Sequence, residues 1–167
     1  MVEKHQIFSS RINYEGAVSF ADYYKFCYDW LTQQTDLILQ EKNYIEKIKG
    51  DAKDISIDWS GERLFTDYFK FEVVVQFRVF GLKDIEVLQE GQKIKTNKGR
   101  VEMQVNGILI RDYAGKFETT AFKKFLRNVY EKWIISSEIE QFEERIMLDC
   151  DEFLKQAKAY LDLEGKS

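Results

Sequence analysis

The chain has 167 residues, 44% apolar and 15% aromatic, with a net charge of −4 and a pI near 5.2. That is the size of one ordinary domain, so residues 1–167 are expected to form a single α+β unit. The composition excludes a disordered chain, and the acidic balance disfavours nucleic acid as a partner.

The opening "HQIFSSRINY" alternates with Phe8, Ser10, Ile12 and Tyr14 on one side and predicts a strand. It holds no apolar signal region, and no stretch approaches the roughly 18 uncharged apolar residues of a membrane span. A cytoplasmic location without a membrane span is therefore expected.

"SFADYYKFCYDWLTQQ" follows, with Phe20, Tyr23, Tyr24, Cys27, Trp30 and Leu31 at helical spacing. Ser19 and Asp22 resemble a capping box. The helix carries more aromatics than one buried stripe holds, because Phe26 and Tyr28 fall outside it. Tyr and Trp suit interfaces, being apolar with a polar tip. Tyr24, Phe26, Tyr28 and Trp30 are accordingly the candidate partner-contact residues.

"DLILQEKNYIEKIKG" predicts a return to the sheet with an irregular pattern. Beyond it, Gly50, Gly61, Gly81, Gly91, Gly99 and Gly115 each sit in a polar cluster, which predicts turns separating five or six short strands. The runs between them have period two. Residues 66–80 form the clearest strand, with Phe69, Phe71, Val73, Val75, Phe77 and Val79 on one face. In "RVEMQVNGILIRDY" the phase changes beside Gly107, which predicts a bulge there.

From Thr119 to about Leu163 the period returns to 3.6. Phe122, Phe125, Leu126, Val129, Tyr130 and Trp133 make one stripe; Ile139, Phe142, Ile146, Phe153, Leu154, Ala157, Tyr160 and Leu161 make another. One helix of about 45 residues would be about 68 Å long, too long for a domain of this size. The Ser137–Glu140 capping box predicts a break, with one helix ending near Ile135 and the next running from about Glu138 to Leu163.

The fold expected is therefore α+β: a curved antiparallel sheet of about five to seven strands, one helix in the N-terminal half and two C-terminal helices, in the order β-α-β(n)-α-α. That element order is similar to helix-grip domains such as the START-related lipid- and hormone-binding proteins. The resemblance implies a cavity between a curved sheet and a long C-terminal helix. It would be lined here by Phe71, Val73, Val75 and Phe77 from the sheet and by Phe142, Ile146 and Phe153 from the helix. Two C-terminal helices instead of one, and no second short helix after the first strand, depart from that pattern.

The chemistry is sparse. The only histidine is His5, there is no proline, and no phosphate-binding glycine loop is present. Cys27 and Cys150 lie far apart, within helical patterns, and read as two reduced core thiols. "EIEQFEERIMLDCDE" is acidic and follows a basic segment containing Lys116, Lys123, Lys124, Arg127 and Lys132. Neither has metal-ligand spacing, and no catalytic set, metal site or cofactor is implied. The expectation is a non-enzymatic domain acting through protein–protein contacts, with itself or another chain. Binding of a small apolar ligand is the alternative.

Overall fold

The computed structural model describes residues 2–115, 120–134 and 136–166. Strand β1 (Glu3–Ala17) leads into helix α1 (Phe20–Gln34), and four strands follow: β2 (Ile38–Lys49), β3 (Ala52–Leu64), β4 (Phe69–Gln89) and β5 (Gln92–Arg111). Helix α2 (Ala121–Val129) continues into a π-helical turn (Tyr130–Ile134), and α3 (Ser136–Lys166) completes the described chain. The strands form one antiparallel sheet in the order β1-β5-β4-β3-β2. First and last strands pair, so β1 and β2 are the two edges, and α1 carries the chain from one edge to the other.

Four strands follow α1, where six glycine clusters predict five or six. Gly50, Gly91 and Gly115 do lie in turns, but Gly61, Gly81 and Gly99 lie inside long strands. Gly61 is there for space: a Cβ would stand 2.5 Å from Leu39 Cδ2. Gly81 has φ +61° in a bulge where Phe80 pairs with Arg100 and Lys83 with Lys98. Register shifts also occur at Gln6/Phe8, Glu41/Asn43 and Lys53/Ile55. Bulges of this kind bend a sheet, and the sheet curves around its helix-bearing face.

Alternation in β4 sends Phe69, Phe71, Val73, Val75, Phe77 and Val79 inward, each at most 1% exposed. Ile55, Ile57 and Trp59 flank them on β3, and Val101, Met103, Val105 and Leu109 on β5. Two helical stripes cover this floor: Phe20, Tyr23, Cys27 and Leu31 from α1, and Ile146, Cys150, Phe153, Ala157 and Leu161 from α3. Each large side chain so buried contributes about 1.5–3 kcal/mol. The outer face of the sheet is polar, with Arg78–Asp58 and Lys70–Glu62 ion pairs at 2.9 Å. Phe80 on that face is 44% exposed, with the Arg100 guanidinium 5.8 Å above its ring.

Two local expectations change. β5 keeps one register with β4 through Gly107, and the bulge lies across the sheet in β1, between Gln6 and Phe8. Gly107 instead admits α3, since a Cβ would lie 2.7 Å from Cys150 Sγ and 2.8 Å from Ile146 Cγ2. Ser19 is the N-cap of α1, but its side chain makes no capping bond. The Phe20 amide donates instead to Asn97 Oδ1 of β5 at 3.2 Å. A strand-borne amide thus does the work expected of a local box. The C-terminal helices divide near the predicted break; the predicted end at Ile135 lies outside the described residues.

Candidate functional site

The α1 aromatics project to both sides of the helix axis, as their spacing requires, and three of the four candidates sit half-buried against their own chain. Tyr24 donates to Glu41 at 2.6 Å and accepts from Trp59 Nε1 at 3.1 Å. Phe26 stacks on Tyr160 with ring centroids 4.8 Å apart. Trp30 leans on Phe153 at 5.5 Å. Tyr28 is 40% exposed, its ring edge against Trp59.

The seven cavity candidates lie in the packed layer between the sheet and the helices, with Phe77 against Phe20, Tyr23 and Tyr24 of α1 rather than against α3. Phe71, Val73, Val75, Phe77, Ile146 and Phe153 are at most 1% exposed. Phe142 stacks on Phe65 at 4.6 Å and tilts onto Phe69. The space left beside Phe71, Val73 and Phe153 has no room for a water molecule.

A larger space lies elsewhere. A cleft of about 550 Å³ opens between the first turn of α1 and the β2–β4 end of the sheet, within the size range of small-molecule sites. The β2 bulge places Glu41, Tyr44 and Glu46 opposite Trp59, Ile57 and Ile55, on the helix-bearing face. α1 does not reach far enough along edge strand β2 to cover them, and Tyr44 is 48% exposed. Tyr44 donates to Glu46 at 2.6 Å, and Lys53 reaches the same carboxylate at 3.4 Å. Desolvation, then the bonded carboxylates, push the Tyr24 and Tyr44 hydroxyls up to about 12. The hydroxyl bond from Tyr44 holds the Glu46 carboxyl below its usual range.

Helix α2 is turned inside out. Phe122, Phe125 and Leu126 are 67%, 60% and 40% exposed, and the buried residue of the helix is Arg127. Arg127 Nε donates to the Tyr68 hydroxyl at 3.1 Å, and its Nη2 lies 3.1 Å from Glu3 Oε2. Tyr68 in turn donates to Glu131, which also lies 3.5 Å from Arg127 and 3.8 Å from Arg111. The helix is held by its polar side, leaving its apolar side in water. Lys123 borders that apolar side and Lys124 lies toward the polar side, both exposed; among the described residues no ion pair reaches them. Lys116, also part of the basic segment, lies outside the described residues.

His5 is exposed on β1. Cys27 and Cys150 are buried free thiols, and burial raises both, Cys150 to about 12. Among the described residues no three His, Cys, Asp or Glu are placed to hold a metal ion, and no helix is long and apolar enough to cross a membrane. Sequence reasoning missed the Glu41–Tyr44–Glu46 set, because the bulge breaks the period-two signal that would have aligned them.

No protein-family model matches the chain, and no curated protein matches it. One solved structure aligns with it: the crystal structure of the di-domain ARO/CYC StfQ from the steffimycin biosynthetic pathway. The TM-score is 0.26 at 9% identity, over 95% of this chain and 52% of that one. This chain thus spans about half the length of that protein, and so low a score carries no argument about function.

Proposed function

We propose that the protein is a non-enzymatic α+β domain that works through protein contacts, pairing with a second copy of itself through α2. The observation that carries this is the outward apolar face of α2. Two phenylalanine rings left about two-thirds exposed each forgo about 1–2 kcal/mol of burial. The helix cannot recover that by rolling over, because Arg127 and Glu131 are tied to Tyr68, Glu3 and Arg111 on its other side.

Charge complementarity favours a second copy. Lys123 borders the apolar face of α2, and Lys124 adds a second exposed positive charge on the same helix. On α3, Met147 and Leu148 are 50% and 59% exposed, and Glu140 and Glu144 are exposed close by in sequence. A basic apolar helix facing an acidic apolar one, twice over about a two-fold axis, is self-complementary. The same acids repel an anionic bilayer, which disfavours a membrane as occupant. Tyr28 on α1 adds a smaller exposed aromatic. A pairing that rests on single helix faces is expected at the weak end of specific association.

Sedimentation velocity from low to high micromolar concentration tests the reading. The wild type is expected to pass from monomer to dimer, and Phe122→Glu/Phe125→Glu to stay monomeric with an unchanged urea midpoint. A wild type that remains monomeric throughout, or that floats with anionic vesicles, would overturn it.

A further inference from the structure

The cleft beside α1 is independent of α2. It lies at the end of the sheet where Lys53 pairs with Leu82, whereas α2 is anchored at the other end, where Glu3 and Phe69 pair with Arg111. It is also separate from the packed space between sheet and α3. We propose that this cleft binds a small organic cation: an ammonium or guanidinium group on an apolar body.

The walls argue for that class. Phe20, Tyr24 and Tyr44 contribute three aromatic rings, and Ile55 and Leu82 provide an apolar floor. Ring faces carry negative potential and attract a cation placed over them. Two carboxylates, Glu41 and Glu46, share the cleft with one ammonium, Lys53, which lies 3.4 Å from Glu46. One negative charge is therefore left over, at Glu41. Both tyrosine hydroxyls already donate to these carboxylates, Tyr24 to Glu41 and Tyr44 to Glu46, each at 2.6 Å. Those bonds fix the rings and leave their hydroxyl hydrogens unavailable to an anion. The Trp59 indole N–H is likewise spent, donating to the Tyr24 hydroxyl. An anionic ligand would meet two carboxylates against one ammonium, and a neutral one would gain nothing from the Glu41 charge.

The arrangement is also built for rigidity at one wall and freedom at the other. Tyr24 is held by Trp59, whose ring lies 4.9 Å away and which is 1% exposed. Tyr44 stands on edge strand β2, whose neighbours Glu41 and Glu46 are exposed. A ligand can enter past β2 without parting the core.

Titration with benzyltrimethylammonium, followed by the Trp59 indole N–H resonance and by calorimetry, tests this. Saturable binding is expected, with movement of that resonance and at least five-fold weaker binding of benzyl alcohol and benzoate. Glu41→Gln should weaken the cation at least five-fold while leaving thermal unfolding unchanged. Tyr44→Ala should weaken it similarly, and its exposed position spares the fold. Equal affinity for cation and benzoate, no shift at Trp59, or full affinity in Glu41→Gln would each overturn the assignment. Neither result bears on the dimer, since Phe122→Glu/Phe125→Glu should bind the cation as the wild type does.

Discussion

Replacing Gly107 by alanine tests how tightly α3 closes on the sheet. Gly107 sits in β5 between Val73 of β4 and Phe8 of β1. Its added Cβ would lie 2.7 Å from Cys150 Sγ, 2.8 Å from Ile146 Cγ2 and 3.4 Å from Phe8 Cβ. Comfortable contacts are about 3.5–4.0 Å, so α3 would have to lift by roughly 1 Å. It cannot lift locally, because Ile146, Cys150, Phe153, Ala157 and Leu161 form one stripe on the same floor, each at most 2% exposed. Overpacking of this kind costs about 1–3 kcal/mol. In a chain of this length that lowers Tm by about 2–12 °C. Urea unfolding followed by far-ultraviolet circular dichroism measures the loss. Cys150→Ala removes one of the two clashing atoms, so the double variant should be more stable than the two single losses add to, by about 0.5–1.5 kcal/mol. An unchanged midpoint in Gly107→Ala would refute the argument. It would mean that the sheet and α3 part easily enough to admit a ligand between them.

Other expectations follow from the same geometry. Arg127→Met should cost about 1–3 kcal/mol by removing the pairs to Glu3 and Glu131. Hydrogen exchange should show the loss in α2 amides first, with the central strands still protected. Cys27 and Cys150 should ignore a thiol reagent at pH 8 in the folded protein and both react in denaturant, since burial raises both thiols; ready reaction in the native state would contradict the packing. Burial raises Tyr24 and Tyr44 from 10.0 to about 12, so the folded state keeps protons that the unfolded chain releases. Their contribution to stability is complete below pH 10 and disappears as pH climbs through about 12. Phenolate absorbance in Tyr24→Phe and Tyr44→Phe, against wild type, separates their titration from that of Tyr23 and Tyr68, which burial also raises.

The fold class was legible because burial demands periodicity. Six inward residues in a row at spacing two, from Phe69 to Val79, have one physical solution: a strand with one face against a core. The stripes Phe20–Tyr23–Cys27–Leu31 and Ile146–Phe153–Ala157–Leu161 were equally plain. Strand count was less so, because a glycine reads alike whether it turns the chain or makes room for a neighbour. Gly61 admits Leu39 and Gly107 admits α3, and neither neighbour is close in sequence.

The site-level features were hidden for related reasons. The stripe Phe122–Phe125–Leu126–Val129 was visible, but amphipathicity does not say which side faces inward. Partners brought from β1 and the β3–β4 connection, Glu3 and Tyr68, capture Arg127 and turn the apolar side out. The cleft depends on a bulge at Lys42 that brings Glu41 and Tyr44 onto one face, and on α1 stopping short of them. Sequence alone determined what is local and repetitive: which residues are apolar, at what period, and hence that a sheet is covered by helices. Tertiary structure alone decided which faces meet, because an ion pair, a bulge or a missing Cβ acts between residues tens of positions apart.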